Sequence, residues 1–157
     1  GDFVVINNQN GNDVYSATNR ATISAVATPT ATQGTLRLTI SSLQVSPGYD
    51  GGRFQVVNQN ERSVFYVCDG AGLSADGLTG TGVLWRIRRD FNATYPTACP
   101  GTAGGTVLAR NIRSCRFVYS PNQGATQQSG FVYLELAITR NGETATLTHG
   151  AHVLNAP

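Results

Sequence analysis

Residues 131–149 constrain this chain more than any other stretch. From Phe131 to Thr139 the side chains alternate, with Val132, Leu134, Leu136 and Ile138 on one side. Phe131, Tyr133, Glu135, Ala137 and Thr139 fall on the other, and this period of two marks a half-buried strand. Arg140-Asn141-Gly142-Glu143 follows. An Asn-Gly pair accepts positive φ at both central positions of a type I′ turn, whose twist suits two antiparallel strands. Thr144, Thr146 and Thr148 then alternate with Ala145, Leu147 and His149. The segment predicts a long antiparallel hairpin with one apolar and one threonine-rich face.

Shorter runs of the same period occur upstream. Leu36, Leu38 and Ile40 alternate with Thr35, Arg37 and Thr39, and Val83, Trp85 and Ile87 alternate with Leu84, Arg86 and Arg88. Phe54–Val57 and Val64–Val67 flank a polar stretch, Asn58–Ser63, and together suggest a second hairpin. Cys115–Tyr119 leads into a Ser-Pro-Asn-Gln-Gly turn, while Phe3–Ile6 and Val14-Tyr15 flank an Asn/Gln/Gly loop. No segment holds a 3.6-residue apolar period. Phe91–Arg110, rich in Pro, Thr and Gly, reads as a long surface loop. With neither an internal repeat nor a linker, residues 1–157 are expected to form one mainly β domain built of antiparallel sheets.

Composition agrees and excludes several classes of function. The 157 residues include 18 Thr, 18 Gly, 12 Asn, 10 Ser and 8 Gln, a balance of strand and turn formers. Only 20 residues are charged, and every one of the 11 basic residues is arginine. A net charge of +2 is too small for binding nucleic acid mainly through phosphates. Apolar residues at 40%, spaced in regular runs, argue against disorder. No run approaches the roughly 20 apolar residues of a membrane-crossing helix. The chain has no methionine and begins at Gly1, and we expect it to be a processed or truncated piece of an exported protein.

Few residues suggest chemistry. Cys68, Cys99 and Cys115 are three, so one internal disulfide leaves one thiol, and spacing alone leaves the pairing open. Their intervals are too wide for a CxxC redox or zinc motif. His149 and His152, three apart on a strand, face opposite ways and do not share a metal. Asp69 and Asp76 bracket a Gly-rich loop faintly like a calcium loop, but without its alternating oxygen ligands, so an ordinary turn is expected. No Gly-x-Ser-x-Gly elbow and no nucleophile–base–acid set occurs. We therefore expect no enzyme, no cofactor and no metal. The arginines do cluster: Arg86, Arg88, Arg89, Arg110, Arg113 and Arg116 are six of the 11. Arg86 and Arg88 are expected on one strand face with Trp85 opposite. Such a surface suits an acidic partner, a glycan carboxylate or an anionic lipid. Trp85, Arg86, Arg88, Arg89 and Tyr95 are the candidate contacts to a partner or ligand.

Several segments taken in order resemble a known family. They are Asn10-Gly-Asn-Asp-Val-Tyr15 with Asn19-Arg20, and Leu36-Arg-Leu-Thr39 leading through Ser46-Pro-Gly48 to Arg53-Phe-Gln-Val-Val57. Phe65-Tyr-Val-Cys68-Asp69, Leu108–Phe117 with its Ser-Cys-Arg-Phe, and the closing hairpin complete the set. Together they resemble the soluble part of MshO-type minor pilins of mannose-sensitive haemagglutinin (MSHA) type IV pili. That group is related to the minor pilin PilW and the type II secretion pseudopilin GspJ. The resemblance spans roughly Asp2–Leu154 and implies a pilin head whose N-terminal apolar helix has been truncated. It implies a structural subunit, not an enzyme, that primes or caps pilus assembly with other minor and major pilins and the assembly machinery. The full-length form would be anchored in the inner membrane by that helix, facing the periplasm, and would be extracellular in the pilus, including at its tip. The family pattern also implies pairing of Cys68 with Cys115, and Cys99 departs from it. The alternatives are an adhesin domain binding a surface glycan and a secretion pseudopilin.

Overall fold

The computed structural model describes residues 1–8, 11–30, 32, 34–45, 52, 54–120 and 129–154. Among them the fold is mainly β, in two antiparallel sheets. The elements are β1 (Phe3–Ile6), α1 (Gly11–Tyr15), β2 (Arg20–Ala27), β3 (Arg37–Ile40), β4 (Phe54–Val57), β5 (Ser63–Asp69), β6 (Gly82–Arg89), β7 (Thr106–Ser120), β8 (Ser129–Arg140) and β9 (Glu143–Leu154). The residues group into two compact units. One comprises Gly1–Ser63 with Arg88–Ala98, and the other comprises Val64–Ile87 with the chain from Cys99 onward.

The first unit holds a sheet of order β3-β2-β1-β4. β1 reads Phe-Val-Val-Ile, apolar throughout, and its consecutive Val4 and Val5 are both buried, so both faces of the strand are covered. β4 occupies its other side, with Phe3 opposite Val57 and Ile6 opposite Phe54. The expected hairpin of Phe54–Val57 with Val64–Val67 therefore does not form: β4 pairs with β1, while β5 belongs to the other sheet. The backbone groups on both edges of β1 are thereby paired, one edge with β2 and the other with β4. β2 carries little apolar signal, since only Ala21 along it is buried, and it bulges at Ser24, whose hydroxyl donates to the Thr39 carbonyl.

Val14-Tyr15 also departs from the sequence reading, because it lies in a single helical turn. Ser16 N–H donates to the Asn12 carbonyl and Thr18 N–H reaches back to that of Asp13. Ala17 closes the turn at φ 64°, the left-handed position that ends many helices. Rings then gather around α1. Tyr15 meets Phe91 edge-on at 5.1 Å and Tyr95 at 5.4 Å, and its hydroxyl shares a 2.6 Å hydrogen bond with Ser63. The Arg20 guanidinium sits 4.9 Å from the Phe3 ring centre and 4.8 Å from that of Phe91. Partial burial and the like charge of Arg62 lower the Arg20 pKa. Arg62 itself stacks on Phe3 and pairs with Asp90 at 2.9 Å. Phe91, at the head of the expected surface loop, is thus half-buried in this cluster.

The second unit holds the sheet β5-β6-β7-β8-β9. Its core is Leu84, Ile112 and Leu136, flanked by Cys68, Ala109, Cys115, Leu134 and Ile138. The expected hairpin is present: β8 and β9 pair through 12 consecutive positions from Ser129 opposite Leu154 to Arg140 opposite Glu143. Asn141 and Gly142 take φ of 52° and 80° at its tip, as a type I′ turn requires.

β7 is where simple alternation fails. It carries extra residues against β6 at Leu108 and Asn111, and one against β8 at Arg113. Asn111, at φ 60°, makes one of these bulges. On β6 the buried apolar residues are Leu84 and Ile87, while Val83 and Trp85 are half-buried. Trp85 and Ile87 still share a face, both reaching Gly105, and the buried Leu84 stands on the other, so both faces of β6 are partly covered. The long-loop reading also ends early, because Thr106–Arg110 opens β7. The turn after Ser120, the Ser46-Pro-Gly48 motif and Arg53 lie outside the described residues.

Candidate interaction surface

The β7–β8–β9 register assigns each side chain to a face. Cys115, Leu136 and Leu147 stand in one row across the three strands, Phe117, Leu134 and His149 in the next, and Tyr119, Val132 and Ala151 beyond. Near the hairpin this face is the core, and Leu136 is 5% exposed. Elsewhere on the face apolar side chains are about half-exposed: Leu147, beside Leu136, is 57%, and further out Phe117 is 43% and Tyr119 52% exposed. Contiguous apolar exposure of this kind marks interaction sites.

β9 borders the face and ends the sheet. Among the described residues, no backbone hydrogen bond reaches its outer edge. Soluble proteins blunt such edges with lysine, proline, bulges or brevity. β9 has none of these protections: its 12 residues contain no Lys and no Pro, its register is unbroken, and Glu143 is its only acidic or arginine charge. Glu143–Val153 are exposed throughout, the threonines included, so the apolar face expected of this strand is presented to solvent rather than to a core.

The opposite face is polar and internally bonded. The Tyr133 hydroxyl donates to Glu135 at 3.0 Å, which raises the Tyr133 pKa. Phe131 and His152 meet edge-on at 5.1 Å, and Thr139 and Thr144 share a 2.8 Å hydrogen bond. His149, opposite Leu134, and His152, opposite Phe131, lie on different faces.

Of the sequence-nominated contacts, Trp85, Arg86, Arg88 and Arg89 lie along β6 and Tyr95 lies in the segment after it. Trp85 and Arg86 belong to the second unit, and Arg88, Arg89 and Tyr95 to the first. Trp85 is half-buried, with its indole N–H buried and unpartnered among the described residues. Arg88 pairs with Glu61 at 3.2 Å, and Arg89 donates to the Arg88 carbonyl. Tyr95 is exposed yet leans on Tyr15. Arg110, Arg113 and Arg116 are exposed along β7.

Asp76 closes a turn. Its carboxylate accepts from the Ser74 hydroxyl at 2.5 Å and the Leu78 N–H at 3.0 Å, and these bonds hold its pKa below the ordinary carboxylate value. No group of three His, Cys, Asp or Glu side chains suited to a metal occurs among the described residues. None of the described helices is long and apolar enough to cross a membrane. Cys68 and Cys115 are joined by a disulfide, and Cys99 is free and exposed. The exposed edge was missed from sequence because alternation reveals a strand's faces but not its place in the sheet. No family model, curated protein or solved structure matches the chain.

Proposed function

We propose that this chain is the head of a non-enzymatic assembly subunit, a minor pilin that primes or caps an MSHA-like type IV pilus. The β9 edge, unpaired among the described residues, with Leu147 exposed on it and Phe117 and Tyr119 exposed on the same sheet face, supports this reading most directly. A neighbouring subunit adds backbone hydrogen bonds along β9 and covers the apolar side chains, as strand addition does elsewhere. The mainly β fold and the Cys68–Cys115 bond accord with the resemblance from which the reading began. In the same reading the full-length protein is held in the inner membrane before it joins the filament. A glycan-binding adhesin is less favoured, because Arg88, one of its nominated contacts, is paired with Glu61.

The test is genetic. Deletion of the gene reduces piliation, and wild-type protein restores it. Thr146→Pro, which removes a β9 N–H donor and places a ring on the strand, folds but fails to restore fibres. Full piliation after deletion excludes the pilin assignment, whereas restoration by a folded Thr146→Pro protein excludes β9 as the docking edge.

A further inference from the structure

We propose that Cys99, Cys68 and Cys115 form a thiol–disulfide exchange site, in which the Cys99 thiol attacks the internal disulfide. All three cysteines of the chain line one open cleft of about 590 Å³ within the second unit. β5 supplies one wall through Tyr66, Val67, Cys68 and Asp69, and β7 supplies another through Cys115 and Phe117. Cys99 enters from the segment that runs through Pro100 to Thr102. Its thiol is exposed, and neither disulfide sulfur belongs to a fully buried residue. The attacking group and the bond it attacks therefore line one open cleft.

The step balances internally. Cys99 gives its proton to solvent, and the resulting thiolate attacks one sulfur of the Cys68–Cys115 pair. A new S–S bond to Cys99 forms as the old one breaks. The displaced sulfur leaves as a thiolate and takes a proton back from solvent. One disulfide and one thiol exist before and after, so no oxidant or reductant is consumed. The charge moves between sulfurs of the same cleft, whose walls include one carboxyl side chain, Asp69, and no arginine or histidine. The consequence is mechanical: the fastening between β5 and β7 is exchanged for one between a strand and the 99–102 segment. This site is separate from the β9 edge, and neither proposal depends on the other.

The full chain is held at about pH 8, where thiolate is available, without added thiol and with a trace of slow alkylating reagent. It is then quenched in acid and mapped by peptide mass spectrometry without reduction. The expected result is a Cys68–Cys99 or Cys99–Cys115 peptide, or alkyl label on Cys68 or Cys115. These products appear at a rate independent of protein concentration and are lost in Cys99→Ser. Label on Cys99 alone with only the Cys68–Cys115 peptide overturns the proposal, and so does exchange whose rate rises with protein concentration.

Discussion

Cys68 on β5 and Cys115 on β7 are 47 residues apart in sequence, yet their Cα atoms lie 6.6 Å apart and their sulfurs are bonded. β6 lies between these strands in the sheet order and begins at Gly82, opposite Ile112. Cys115 therefore sits beyond the end of β6, where no middle strand separates its two neighbours. The bond fastens the sheet where its backbone ladder is interrupted, next to the Leu84–Ile112–Leu136 core. Closing so long a loop stabilises mainly by restricting the unfolded chain. Replacing both cysteines by serine is expected to cost about 2–4 kcal/mol, read as a lower urea midpoint.

Gly80 approaches the bulge of β7 closely. Its N–H donates to the Thr139 carbonyl at 2.8 Å, and a Cβ at this position would collide with the Asn111 carbonyl. Backbone is on both sides, so the neighbour cannot swing away. Gly80→Ala is expected to destabilise the chain by about 1–3 kcal/mol. Chemical denaturation measures the loss, and near-wild-type stability would show that the bulge relaxes freely.

Gly142 tests the hairpin. Its φ of 80° is disfavoured for any residue with a Cβ, while space around it is adequate, the nearest atom being Leu78 Cδ2 at 3.4 Å. Gly142→Ala should therefore cost about 1 kcal/mol through backbone conformation. The hydrogen bond from its N–H to the Leu78 carbonyl, 2.8 Å in the native turn, is retained. Hydrogen exchange along β8 and β9 is expected to speed up nearest the turn.

Asp76 predicts a pH dependence of definite sign. Its folded pKa lies below the ordinary carboxylate value because Ser74 and the Leu78 N–H donate to the carboxylate. The stabilisation is present above the unfolded value and lost as pH falls through the folded one. Asp76→Asn keeps an acceptor oxygen and removes the charge. The stability difference between wild type and this variant is therefore expected to shrink on acidification, as followed by urea midpoints at successive pH values.

The legible parts of the fold were those with strong period and distinctive turn residues. Phe131–His149 has both, and β8–β9 stands as expected, with Asn141 and Gly142 at positive φ. β3 likewise alternates, with Leu38 and Ile40 half-buried against exposed Arg37 and Thr39. β2 was illegible because Ala, Ser and Thr give its inward face almost no contrast with the outward one. The helical turn at Gly11–Tyr15 is too short for any 3.6-residue pattern to develop. Bulges at Leu108, Asn111 and Arg113 displace the period of β7 without a local signature, and Leu84 and Ile87 are both buried because both faces of β6 are covered, which alternation does not reveal.

The candidate surface was legible only in part. The alternation of Ala145, Leu147 and His149 marked an apolar row, but whether that row meets a core depends on sheet order, a long-range property. The Cys68–Cys115 pairing came from resemblance and is present in the structure. The Trp85–Tyr95 set rested on chain proximity. Within it Arg88 pairs with Glu61, a partner distant in sequence that no local pattern announces.

The most direct test of the central claim is site-specific photocrosslinking in cells that assemble the filament. A photoreactive amino acid at Leu147, 57% exposed on the β9 edge strand, is expected to yield a covalent adduct with another pilin subunit. The same probe at Thr28, exposed on the other unit, serves as the comparison. Adducts at 147 that exceed those at 28 and vanish with Thr146→Pro fulfil the prediction. No adduct to a pilin subunit at 147, in cells whose filaments depend on this protein, contradicts it.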